Sequence, residues 1–207
     1  MESHVSIGKC DLYLGDSKDV LKRFADASVD LILGDAPWKP RKLAWGPGNP
    51  QQAILNECLR VSRGPVIWLG GGTPNGNMAG NVHFNMFEPP ARAVDYEHTE
   101  LTRLLETHET HYTWRPVWAW RLDKPMCFAP QPNAEILGPA YQLGPHTSPT
   151  PVELARQIIL ACGARSVLDP FMGTGWAGVA CRDLGIDFIG IELTDWFFGI
   201  SKQRITG

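Results

Sequence analysis

Two short runs of this sequence combine residue types at spacings that chemistry can use. The first spans Asp169 to Gly178 and reads D-P-F-M-G-T-G-W-A-G, after an apolar S-V-L and ahead of a further strand-like run that ends in Glu192. A strand, a glycine turn, a helix and a strand ending in an acid form the layout that binds an adenosyl group. Glycines let the backbone approach a ligand where a Cβ would intervene, and a carboxylate can accept hydrogen bonds from both ribose hydroxyls. Gly173, Gly175 and Gly178 also satisfy G-x-G-x-x-G, so these residues alone leave a dinucleotide reading open. The second run is Asp35, Ala36, Pro37 and Trp38, which closes the apolar stretch V-D-L-I-L-G. Hydride transfer to or from a nicotinamide has no need of such a tetrapeptide at the end of a buried strand. Each run also has a plain structural reading, as a tight turn that lets helix meet strand and as a turn cap followed by a core tryptophan.

With G-I-E-L at 190–193 and Phe198 and Arg204 downstream, the D-P-F-x-G-x-G pattern resembles the cofactor loop of amino-group DNA methyltransferases. The tetrapeptide resembles that family's [D/N/S]-P-P-[Y/F/W] catalytic motif, and H-T-S-P-T-P-V-E-L at 146–154 is similar to its H-P-T-x-K-P-x-x-L element. G-D-S at 15–17 resembles the segment that approaches the cofactor's adenine. A catalytic motif that precedes the cofactor loop is the order of the circularly permuted β class. The resemblance implies S-adenosyl-L-methionine as cofactor, with Asp16, Ser148, Asp169, Phe171, Gly173, Thr174, Gly175, Glu192 and Leu193 around it. The glycine loop would face the methionine part and Glu192 the ribose. It also implies a catalytic set of Asp35, Ala36, Pro37 and Trp38.

The chemistry accounts for those residue types. An adenine amino nitrogen is a poor nucleophile while its lone pair is delocalised into the ring. A carboxylate on Asp35 and the carbonyl of Ala36 would hold its two N–H bonds and favour a pyramidal nitrogen, and Trp38 would stack an extruded base. Three features depart from the family. Ala36 stands where proline is expected, Thr150 where lysine is expected, and few residues separate Tyr141 from His146, where members of known sequence specificity carry a recognition region.

These runs need elements to position them. Strands are expected at 9–15, 29–34, 65–69, 113–121, 134–141, 166–169 and 187–192, with helices starting at Ser17 and over 51–61, 100–108, 151–162, 176–184 and 195–205. Ser17 is expected to cap its helix, whose Val20, Leu21 and Phe24 share a face. The stretches 39–50 and 70–90, rich in Gly and Pro, read as loops. Trp114, Trp118 and Trp120 alternate as one face of a strand and read as core. Strand and helix in alternation, with the strands largely apolar, predict an α/β fold. The family adds the rest: a single Rossmann-like methyltransferase domain over 1–207, with an open, mostly parallel seven-stranded sheet and helices on both faces. Its catalytic half spans 1–145 and its cofactor-binding half 146–207, without a separate target recognition domain. The strand before Asp169 should lie beside the strand before Asp35.

Composition narrows the partners. At 207 residues with 43% apolar residues the chain can bury one substantial core. A net charge of -3 excludes a broad basic surface, so contact with DNA must come from local clusters such as Lys39, Arg41 and Lys42. The five cysteines are scattered without C-x-x-C spacing, which argues against a disulfide framework and a zinc site and for a reducing cytoplasm. No run is long and apolar enough to span a membrane. The expected partner is DNA with a flipped base, and sequence reading would fall to the 70–98 stretch, a second copy or a specificity partner. Adenine N6 is the favoured target in a prokaryotic or viral setting. The rivals are cytosine N4, an RNA base, a silent cofactor-binding subunit and a nicotinamide-dependent dehydrogenase.

Overall fold

The computed structural model describes residues 3–35, 50–69, 117–121, 150 and 152–207. Strands β1 (Ser3–Ile7) and β2 (Cys10–Leu14) form an antiparallel hairpin, with Ser3 opposite Leu14 and Ile7 opposite Cys10. Its two-residue turn places Gly8 at φ +57°, and glycine takes that conformation without steric cost. The sequence reading did not foresee β1. The cue was present in Gly8 and Lys9 between two runs of suitable length.

From β2 the chain enters α1 (Ser17–Val20), which tightens into a 3₁₀ turn over Leu21–Arg23, and then β3 (Leu31–Asp35). The expected cap is corrected here. Asp16 is the N-cap, its Oδ1 accepting the Lys18 amide at 2.9 Å, while the Ser17 hydroxyl instead donates to the carbonyl of Pro170 at 2.5 Å. Next come α2 (Pro50–Val61), β4 (Val66–Leu69) and β5 (Val117–Trp120). The last part adds α3 (Val152–Cys162), β6 (Ser166–Asp169), α4 (Trp176–Leu184), β7 (Asp187–Glu192) and α5 (Asp195–Thr206). The expected helix at 100–108, the strand at 134–141, the loops at 39–49 and 70–90, Trp114, and the side chains of Trp118 and Trp120 lie outside what is described.

The strands form one sheet in the order β1-β2-β7-β6-β3-β4-β5. The neighbours from β2 to β4 are parallel, and β1 and β5 pair antiparallel at the two edges. From β3 the chain moves outward to β4 and β5, whereas from β6 it moves the other way to β7. The strand order therefore reverses between β3 and β6, where folds of this kind leave a crevice beyond the strand ends.

Both faces of the sheet are covered, which is why its central strands are apolar throughout. Leu31, Leu33, Ile67, Leu69, Val167 and Phe188 join the core beneath α3, α4 and α5. Their alternates Ile32, Val66, Trp68, Leu168 and Ile191 pack with Val20, Leu21, Ile54, Leu55 and Cys58 from α1, its 3₁₀ turn and α2. Each large apolar side chain taken from water contributes about 1.5–3 kcal/mol, so this two-sided burial is the main force that holds the strand ends in register.

Candidate active site

The strands that carry the two chemical runs are neighbours. β3 and β6 pair in parallel with Leu31 opposite Val167 and Ile32 opposite Leu168, so Asp35 and Asp169 end adjacent strands at the carboxyl edge of the sheet. Contact at that edge is close. A Cβ at Gly34 would lie 3.2 Å from Phe171 Cδ2 and 3.3 Å from Asp169 Oδ1, so glycine is what lets the residue before Asp35 sit against the D-P-F turn. Phe171 also makes an edge-on contact with Trp68, the register partner of Gly34 on β4, with ring centroids 5.2 Å apart.

The glycine loop turns on two left-handed residues, Gly173 at φ +53° and Gly175 at φ +80°, and Gly175 starts α4. A Cβ at Gly175 would crowd Ser201 at 3.0 Å, and one at Gly178 would collide with Ile205 and Phe188. The third glycine thus serves helix-to-sheet packing. Glu192 ties the loop down. Its Oε2 accepts the Gly173 amide at 2.8 Å, and its Oε1 accepts the amide and the hydroxyl of Thr194, each at 2.8 Å. From the C-terminal helix, Arg204 donates to the carbonyl of Thr174 at 2.7 Å, and Thr174 is itself buried.

Three carboxyl groups converge here. Asp169 is fully buried, and Oδ1 accepts the Phe171 amide at 2.9 Å. No hydrogen bond reaches its Oδ2 among the described residues. The Trp176 indole N–H lies near enough to favour the ionised form but off the geometry of a full hydrogen bond. Burial pushes the Asp169 carboxyl well above the usual carboxylate range, and the charges of Asp35 and Glu192 add to the rise against the Phe171 amide. Glu192 is also raised by burial, in part offset by the Thr194 and Gly173 hydrogen bonds. A buried acceptor among negative neighbours suits a cationic ligand. It suits a pyrophosphate poorly, and the Gly173 amide that would point at a phosphate is engaged by Glu192.

Other expected residues fall around this edge. The Gly15 amide donates to the Glu192 carbonyl at 2.8 Å, which sets the G-D-S turn against the end of β7. Both Asp16 oxygens are engaged by Lys18, through its amide and its ammonium group, so Asp16 acts as a helix cap in this structure. Leu193 is 38% exposed beside Glu192. Ala36, Pro37, Trp38 and Ser148 lie outside the described residues, as do Lys39, Arg41 and Lys42. The sequence reading missed two contacts: Arg204 on Thr174, and Thr150, whose buried hydroxyl donates to Asp35 Oδ2 at 2.5 Å. Neither follows from spacing, since 30 and 115 residues separate the partners.

An open, mostly parallel sheet with a glycine loop and an acid at the ends of neighbouring strands defines the Rossmann-like class of α/β folds on which methyltransferases are built. Within that class the DNA methylase family model (N6_N4_Mtase) matches residues 66–203, more than half of the chain, and the chain belongs to that family. The Type II methyltransferase M.SmaI of Serratia marcescens is 42% identical over 65 residues, which span 30% of this chain and 22% of M.SmaI. TTHA0409 of Thermus thermophilus, named as a DNA modification methylase, shares the fold with a TM-score of 0.58 at 18% identity, over 94% of this chain and 93% of that one. The cytosine-N4-specific PvuII DNA methyltransferase does so with a TM-score of 0.56 at 15% identity, over 96% of this chain and 87% of that one.

Proposed function

We propose that this chain transfers a methyl group from S-adenosyl-L-methionine to an exocyclic amino group of a base in DNA, with adenine N6 as the favoured target. The observation that carries the reading is the placement of Asp35 and Asp169 at the ends of paired strands, where the strand order reverses. A donor held by the glycine loop and a base held by Asp35 would share one crevice.

The donor set fits the cofactor. Asp169 Oδ2 is a buried acceptor with no hydrogen bond among the described residues, Gly173 and Gly175 keep the loop backbone bare, and Glu192 Oε2, which accepts the Gly173 amide, has a lone pair left for a ribose hydroxyl. Phe171, Thr174 and Leu193 complete the surround, with Asp16 at its margin, and Ser148 would add a further contact to the cofactor. When bound, the cofactor supplies an electrophilic methyl on a sulfonium. The chain's own part is to accept the amino N–H bonds at Asp35 and the Ala36 carbonyl, to hold the base on Trp38 with Pro37 fixing the turn, and to exclude water.

A second reading, cytosine N4, is favoured by the fold shared with the cytosine-N4-specific PvuII enzyme and uses the same acceptors. The residues 1–145 would serve the base and 146–207 the cofactor, with target choice left to a second copy or a specificity partner. The test is transfer of labelled methyl to DNA, followed by digestion to nucleosides. Wild type is expected to label N6-methyl-2′-deoxyadenosine, and Asp35→Ala to lose at least about a hundredfold in rate. Label in cytosine selects the second reading. S-adenosylhomocysteine binding without any transfer would mark a silent subunit and defeat both.

A further inference from the structure

We infer that Thr150 is a positioning residue for Asp35, its buried hydroxyl setting the plane in which that carboxylate meets the amino group of a target base; this rests on the methyl-transfer reading above. The Thr150 Oγ1 donates to Asp35 Oδ2 at 2.5 Å, within the range of a hydroxyl on a charged carboxylate.

The donor is delivered by a rigid element. Thr150 is 6% exposed and lies just before α3, whose Leu154, Ala155, Ile158 and Ile159 are locked into the core. A β-branched side chain has few rotamers, whereas the carboxylate torsion of an aspartate is broad and roughly two-fold. A stiff donor on Oδ2 therefore restricts the rotation of the carboxylate at the strand end.

Charge gives the second argument. Asp35 faces Asp169 on the neighbouring strand β6, while its register partner on β4, Leu69, carries no charge. Two carboxylates side by side disfavour each other's ionised form. A hydroxyl donor supports the charged form of Asp35 and leaves its negative charge in place for the base.

The test uses the full chain as wild type, T150V, T150A and T150S, with folding checked by circular dichroism. Methyl transfer to DNA and the titration of the Asp35 carboxyl carbon by NMR are both measured. T150V keeps the side-chain shape, and T150A serves should the valine misfold. Both are expected to lower kcat about tenfold or more, to leave KM for cofactor and DNA within about twofold, and to raise the Asp35 titration midpoint, with T150S restoring all of these. An unmoved midpoint, an unmoved kcat, or a loss that serine does not restore overturns the inference. Wild type that transfers no methyl overturns the function proposed above instead, and the Asp35 midpoint then still decides whether Thr150 governs that carboxylate.

Discussion

Asp169 has no solvent access, a hydrogen bond from the Phe171 amide, and the charges of Asp35 and Glu192 for neighbours. Burial first, then those charges, raise its pKa above the ordinary 3.8, so the folded chain keeps a proton that the unfolded chain releases. Between the two values the unfolded state binds fewer protons. The stability tied to Asp169 is therefore fully present below about 3.8 and is lost as pH rises toward the folded value. Asp169→Asn keeps an acceptor for the Phe171 amide and removes the titration. Its Tm is expected to exceed that of wild type, by about 2–4 °C for each kcal/mol gained, with a gap that widens in thermal melts as pH rises above the ordinary 3.8 toward the raised folded value. Its affinity for S-adenosylhomocysteine is expected to fall about tenfold or more by calorimetry, because an amide donor replaces the buried carboxylate oxygen. A gap that is flat or reversed would show that Asp169 is ionised in the fold at no cost. Stability given up at one buried carboxyl is the sign of a residue kept for its ligand.

Among elements, the amino end of the sheet is held by Asp30. Its Oδ2 accepts the amides of Arg165 and Ser166 at 2.9 and 3.1 Å, its own amide donates to Ser166 Oγ at 2.9 Å, and Arg63 Nε donates to Oδ1 at 2.6 Å. Burial alone would raise this carboxyl, yet the Arg63 hydrogen bond, the Arg165 amide and the Ser166 contact bring it below its ordinary value. Its contribution is thus present above about 3.8 and fades as pH falls through the lower folded value. Asp30→Ala is expected to cost about 1–3 kcal/mol in urea unfolding at neutral pH, with the deficit shrinking in acid. A deficit independent of pH would place the loss in packing instead. This clamp joins β3 to β6 at one end, so that Asp35 and Asp169 meet at the other. That adjacency was legible from the order of the two motifs, as were the apolar strands and the glycine turn, because each leaves a local pattern. The Arg204 brace and the Thr150 contact were not, because they join residues 30 and 115 positions apart and no period records them.

For the molecule as a whole, charge constrains how it meets a polyanion. The chain has 19 lysines and arginines against 22 acids, so it has no net positive charge with which to draw in a phosphate backbone. On the methyl-transfer reading proposed above, the phosphates flanking a reacting base would have to be held by local cations. Lys39, Arg41 and Lys42 follow the tetrapeptide directly. Each phosphate neutralised on duplex DNA contributes about -0.9 to the slope of log Kobs against log salt. Contacts from those three residues predict a slope of about -3, shallow for a DNA-binding protein, so that a fourfold rise in salt would weaken binding about 40-fold. Alanine at each should reduce the slope by about 0.9 with little change in which base is methylated, since phosphate contacts position and do not read sequence. A slope steeper than about -6 would instead require a basic surface supplied by a second copy or another subunit, and the slope should then depend on protein concentration or on that subunit.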